Sequence, residues 1–406
     1  MNVDELVRES LREQAGEQRP LGPDFADQVL AGRRRRRARG FAAVAAATAA
    51  VVAVAVGVPL LDSGKDDGTR LASEMNRSDI IAHPDQTPPR DLIAAGDVAL
   101  AAYFTYSTDK QTKDRGVLRR TYWLLDQETG KYVKAAKWSV LDVAPGMRTA
   151  AVLEDDLPAK RIGLLDLYTG KVERWIPVDR GVASVEFSED GSKLLATTYD
   201  ENPDLLYRAD YDSDGDGKNN DWMPRYGETS RTGFYVVDVD SGETSWSRVS
   251  GVTDDMNVRQ DFEFSDDATR VWAGLSTEPG IRYFDLRGNK AGPPAGEMYR
   301  RGSVVAGLSP DGKLVAGDFA GTDKTTASEI LDARTGRRLH KVHGQQLLAW
   351  VDDKRLIAWD IEPGTNEFHN RLMLITIGSD KVVPLSGFRK GNDGAGGRWT
   401  PVFAER

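Results

Sequence analysis

The chain has 406 residues, 40% of them hydrophobic and 8% aromatic, so it can bury a sizeable core. Its formal net charge of -9 at pH 7 argues against nucleic-acid binding by the protein as a whole, because phosphate contacts need a basic face. The absence of cysteine excludes disulfides, thiolate zinc sites and cysteine nucleophiles.

Residues 1–40 read as a cytoplasmic tail that ends in a basic juxtamembrane block, with arginine at 33 to 37 and again at 39. Val3, Leu6, Val7 and Leu11, and then Phe25, Val29 and Leu30, fall at helical spacing and could dock on a cytoplasmic partner. Residues 41–61, "FAAVAAATAAVVAVAVGVPLL", are twenty-one positions without a charge. As a helix they extend about 31 Å, close to the roughly 30 Å hydrocarbon core of a bilayer. The arginines lie only on the N-terminal side. The positive-inside rule therefore keeps the tail in the cytoplasm and sends the rest outward, as an extracytoplasmic domain on a single-pass anchor in the cell membrane. A buried helix and a cleaved signal peptide compete with this reading, but the run exceeds the usual signal length and no small-x-small site follows it. Residues 62–90, rich in turn formers, read as an extracytoplasmic linker.

From residue 91 to 406 two phrases recur. The first is an apolar strand, a tight turn and a second apolar strand, as in "SVLDVAPGMRTAAVLED", "ASVEFSEDGSKLLATTYD" and "VVAGLSPDGKLVAGDFAG". The second is an apolar strand ending in aspartate, then a Thr/Ser-Gly turn, as in "IGLLDLYTGKVERW". Its aspartates are Asp126, Asp166, Asp238, Asp285 and Asp332, with Thr376 in the sixth place, at spacings of 40, 72, 47, 47 and 44. With one insertion at about 200–231 removed, the period is about 45 residues, which is four strands per repeat and the signature of an all-β, six-bladed β-propeller, with seven blades the alternative count. The tail "RWTPVFAER" is expected to pair within the first blade and close the ring.

These phrases resemble the WD40-like and TolB-type repeats of bacterial, actinobacterial-like, membrane-anchored propeller proteins, whose "FSPDGKxLA" hairpin is met here by "GLSPDGKLVA" and "EFSEDGSKLLA". The resemblance spans roughly residues 91 to 403 and implies the fold. It says little of the ligand.

The insertion carries the one metal motif. Asp210, Asp212, Asp214, Gly215 and Asp221 meet the spacing D-x-D-x-D-G-x5-D, with Asp216 where such loops supply a backbone carbonyl, so these aspartates are the expected ligands of a structural Ca2+. A second register, from Asp212, shares most of the oxygens and ends on Met223. Lys218 at the ninth position and Gly217 in place of an apolar residue favour the competing reading, a solvated acidic loop. The loop resembles those of dockerins and thrombospondin type-3 repeats. Trp222, Tyr211 and Tyr226 could give it an aromatic contact surface, whereas Trp138, Trp272, Trp350 and Trp359 sit in strands and are expected in the core.

No hydrolase elbow, zincin helix, Walker loop or dinucleotide fingerprint is present, and His340 and His343 sit at i, i+3 on a strand, wrong for a shared metal. The leading expectation is a binding or scaffolding platform for a protein or envelope component, without enzymatic activity. A sensor of anti-sigma type that signals through residues 1–32 is the alternative, and an envelope hydrolase or lyase the third. A carboxylate-lined central channel would favour the enzyme.

Overall fold

The computed structural model describes residues 80–154, 156–210, 218, 221–225, 227, 229–249, 259–322, 325–390 and 398–406. All of them lie in one compact unit, Asp67–Arg406. The expected membrane span at 41–61 and the tail before it lie outside the described residues. Among the described residues no helix is long and apolar enough to cross a membrane.

The described residues form an all-β protein of antiparallel meanders arranged in five sheets. The first sheet carries, in spatial order, Trp399–Glu405, Val98–Lys110, Arg115–Asp126 and Lys131–Ala135. In the second, seven strands run from Trp138–Val143 through Thr149–Glu154, Ala159–Asp166, Lys171–Phe187, Lys193–Tyr199 and Arg231–Asp238 to Thr244–Arg248. The 17-residue Lys171–Phe187 is the pivot of that sheet: its first half pairs with Ala159–Asp166 and its last residues pair with Lys193–Tyr199. The third sheet holds Glu263–Phe264, Arg270–Gly274, Ile281–Asp285 and Lys290–Ala291. The fourth holds Leu314–Phe319, Ala327–Asp332 and Arg338–His343, and the fifth Gln346–Asp352, Arg355–Ile361, Asn370–Thr376 and Val382–Pro384.

Burial explains the sequence pattern. The second strands of the meanders are largely buried; "LLATTY" at 194–199 is buried throughout. Last strands are half in water and read polar, as in "RLHKVH" at 338–343, where only Val342 is buried.

The repeated aspartates are turn caps. Asp126 Oδ1 accepts the amides of Glu128 and Thr129, at 2.9 and 3.1 Å, and Asp332 Oδ1 those of Arg334 and Thr335, at 3.1 and 2.8 Å. Each closes an Asx turn whose glycine, Gly130 or Gly336, takes the left-handed φ that a side chain resists. The Ser-x-Asp of the first phrase caps the other hairpin: Ser188 Oγ donates to Asp190 Oδ1 at 2.6 Å, and Ser309 repeats this on Asp311 at 2.8 Å. Ser188's bond, with those from Ser192, holds the Asp190 carboxyl down at about 2.

Closure follows expectation and adds a second tie. The strand Trp399–Glu405 pairs with Val98–Lys110 over Trp399↔Thr105 to Glu405↔Val98. In addition, residues 80–92, which include the last part of the expected linker, run from the fifth sheet to the first. His83 N–H donates to Leu385 O and Gly387 N–H to Gln86 O, while Leu92 N–H donates to Gly130 O.

Candidate functional site

Two long excursions meet at one place. Val98–Lys110 and Arg115–Asp126 continue their hairpin well past the strands beside them, up to the pairing of Lys110 with Gly116. The insertion, which leaves Lys193–Tyr199 and returns at Arg231–Asp238 as the repeat spacing required, folds back as its own hairpin, Leu205–Arg208 with Trp222–Met223. It adds to the exposed edge of Arg115–Asp126 through Leu205↔Val117, Leu206↔Gly116 and Tyr207↔Arg115. Glycine at 116 permits this approach, since a Cβ there would lie 3.1 Å from Asp109 O and 3.3 Å from the Trp222 ring. Cations cover the aromatic faces of the resulting arm: Arg225 stands 4.0 Å and Arg115 5.8 Å from the Tyr207 ring, and Lys110 6.0 Å from Trp222. Tyr106 of the same hairpin is 40% exposed.

The base of the arm is tied to the ring by charge. Asp204, 3% exposed in its side chain, accepts both Nη atoms of Arg120 at 2.6 and 3.0 Å and Nη1 of Arg259 at 2.7 Å. Arg259 also donates to Asp261 at 2.7 Å and to Ala183 O at 2.5 Å, and Tyr199 donates to Asp261 at 2.9 Å. Burial alone would raise the Asp204 carboxyl, but Arg259 and Arg120 together hold it below the usual carboxylate range. A chain of paired charges therefore runs from the first sheet, through the insertion, to the entry of the third.

Of the expected metal ligands, Asp210 and Asp221 are described; Asp212, Asp214 and Asp216 lie outside the described residues. Ala209 N–H donates to Asp221 O at 2.8 Å, which closes the base of the loop and sets Asp210 and Asp221 at its two ends. Among the described residues no group of three or more His, Asp or Glu side chains could hold a metal ion. Two histidines lie beside carboxylates: His343 Nε2 is 2.8 Å from Asp360, which Arg371 also engages at 3.1 Å, and His369 Nε2 is 2.8 Å from Glu362. Trp138, Trp272, Trp350 and Trp359 are buried, as their strand positions implied. Trp222 is half-buried within the arm.

A second set of acids lies on the first strands of successive meanders. Asp142, Glu186 and Glu263 hold the same place, one residue before the hairpin turn, and the next two meanders have Gly307 and Trp350 there. Asp142 Oδ2 accepts the amide of Phe187 at 2.7 Å, and Glu186 Oε2 that of Phe264 at 2.8 Å, so each carboxylate ties its strand to the following one. Trp350 makes a tie of another kind, its indole N–H donating to Gly307 O at 3.2 Å. Burial pushes Asp142 up to about 6. Glu186 is raised well above the usual range by burial and then by the charge of Glu263. Glu263 itself is exposed to solvent. The shared register of these acids is legible in "LDVAPG", "VEFSED" and "FEFSDD", beside the hairpin signal of the same phrases.

No protein-family model matches the chain. No curated protein matches it either. Among solved structures it is similar to TolB from Acinetobacter baumannii, at 14% identity and a TM-score of 0.38 over 75% of this chain and 67% of that one. It is similar also to the Cps50 (Swd1) β-propeller domain of Myceliophteria thermophila, at 15% identity and a TM-score of 0.32 over 68% of this chain and 96% of that one. A third is hydrazine synthase of Kuenenia stuttgartiensis, at 14% identity and a TM-score of 0.33; the match covers 61% of this chain and 65% of the other, just under two thirds.

Proposed function

We propose that the protein is a membrane-anchored, extracytoplasmic six-bladed propeller that presents the insertion arm as a binding platform for a protein or envelope component. The blade count rests on the strand Lys171–Phe187, which ends one four-stranded meander and begins the next. The anchor rests on the uncharged stretch 41–61 and its flanking arginines. The observation that carries the binding reading is the arm itself. Ring closure does not require the union of Leu205–Arg208 with Arg115–Asp126, and that union holds Tyr207 and Trp222 among Lys110, Arg115 and Arg225, beside the exposed Tyr106 of the same hairpin. Aromatic rings flanked by guanidinium groups are the usual anchors of protein interfaces.

A structural Ca2+ on Asp210, Asp212, Asp214, Asp216 and Asp221 fits this role, because it would neutralise the tip of the arm. The experiment is photo-crosslinking of the full-length protein in its native envelope, with the crosslinker at position 106 or 222. A discrete adduct that Asp214→Ala weakens in calcium supports both statements. An adduct unaffected by calcium chelation removes the metal from the account, and the absence of any adduct from either position removes the platform. Asp142, Glu186 and Glu263 favour a second reading, an envelope hydrolase that uses a protonated carboxyl of this set as its acid. Against it, two of the three carboxylates already accept a backbone amide of the neighbouring strand.

A further inference from the structure

The last strands of the sheets differ in charge. With the turn that leads into each, residues 127–135 carry one net positive charge, 239–248 one net negative, 286–291 two net positive and 377–384 none. Residues 333–343 carry four cations, Arg334, Arg337, Arg338 and Lys341, and no acid, in a chain whose formal net charge is -9. All four are exposed. The two acids of the neighbouring strand Ala327–Asp332 are already engaged: Glu329, opposite Lys341 across the ladder, takes Arg338 Nη1 at 3.0 Å, and Asp332 Oδ1 caps the turn before the strand. Arg334, Arg337 and Lys341 form no salt bridge among the described residues.

The backbone of this strand is open as well. Arg338–His343 pairs with Ala327–Asp332 on one side and with no described strand on the other, and no described loop hydrogen-bonds its main chain from outside. A bulge at Leu339, which is 37% exposed, leaves 340–343 as the regular stretch of the free edge. One or two cations on such an edge discourage association with another chain, and the other last strands carry no more than that. Four without an acid go further, since they admit one sign of partner and reject the other.

We propose that the outer edge of Arg338–His343 takes up an extended acidic segment of a partner protein as a further strand of the fourth sheet. Main-chain bonds along 340–343 hold the added strand, and its carboxylates meet Lys341, Arg337 and Arg338. Charges this exposed add little to affinity; they raise the rate of encounter and fix the sign of the partner. The arm joins an insertion of the second sheet to the first, so the two surfaces are independent.

Fluorescence anisotropy with the full-length protein in an uncharged detergent tests this. The probe is a labelled peptide of alternating glutamate and valine, as long as an ordinary strand. It should bind saturably, and raised salt should slow its association. Arg337→Glu with Lys341→Glu should weaken binding about tenfold at an unaltered melting temperature, whereas the same reversal at Arg90 and Lys290, two exposed cations elsewhere, should not. The peptide N-methylated throughout keeps its charges but has no backbone donors, and it should not bind. Failure of the unmodified peptide to bind, equal binding by its N-methylated or its lysine counterpart, or an unchanged affinity in the double variant overturns the proposal. Binding of inorganic polyphosphate in place of the peptide assigns the edge to an anionic polymer and overturns it likewise.

Discussion

Asp204 is the residue on which the arm depends. It is buried between two guanidinium groups, Arg120 at 8% and Arg259 at 21% side-chain exposure, and it accepts three charge-assisted bonds. Removing one partner of such a set costs more than the set is worth, because the remaining charges stay buried without compensation. Asp204→Asn should therefore destabilise the protein by about 3–5 kcal/mol, read as a lower midpoint in denaturant titration. Arg90→Ala, which removes a pair with both side chains 74% exposed, should leave the midpoint unchanged. A midpoint for Asp204→Asn equal to that of the unaltered protein would show that water reaches the network. None of this was visible in the sequence, because the partners of Asp204 stand 84 and 55 residues away along the chain. The turn caps were visible for the opposite reason: Asp126 bonds amides two and three residues ahead, so the constraint is written locally.

At the scale of elements, strands and turns were legible because each phrase carries its own apolar run and its own turn chemistry. The position of the insertion was legible too, as an excess of about thirty residues in one spacing. What the insertion touches was not, since pairing of Leu205–Arg208 with Arg115–Asp126 is edge addition between distant strands. Edge addition leaves no periodic trace, and its one sequence mark is Gly116. That glycine makes the pairing testable. In Gly116→Val the new side chain meets Asp109 O, Thr108 and the Trp222 ring at or inside van der Waals contact, so the insertion hairpin should lift from its edge. Limited proteolysis should then cut within 200–230 at least tenfold faster, a change of about 1.4 kcal/mol in the opening equilibrium, while the ring keeps its melting temperature. Cleavage at the original rate would mean that the hairpin is held by the Asp204 network alone.

For the whole molecule the question is what keeps a ring of separate sheets from opening. Each sheet is stable only against its neighbours, so the weakest seam governs the assembly. The seam between the fifth sheet and the first is closed three ways: by Trp399–Glu405 on Val98–Lys110, by the strap 80–92, and by a packed set of rings. Trp399, 1% exposed, lies 5.7 Å from Tyr103 of the first sheet and 5.3 Å from Trp359 of the fifth. Arg389 covers Trp359 at 3.7 Å and donates to Trp399 O at 2.7 Å, and the Trp399 indole donates to Thr87 of the strap. One side chain therefore touches all three closures. Trp399→Ala should cost about 3–5 kcal/mol as a buried aromatic truncation, and the loss should exceed that of Trp272→Ala in the third sheet, which spans no seam. Denaturant titration of the two variants, followed by near-ultraviolet circular dichroism, decides the matter. If the ring opens first at this seam, Trp399→Ala should unfold in two steps, with loss of the Tyr103 and Trp359 environment preceding the main transition. A single transition, shifted no further than that of Trp272→Ala, would mean that the strand pairing and the strap close the ring without the tryptophan.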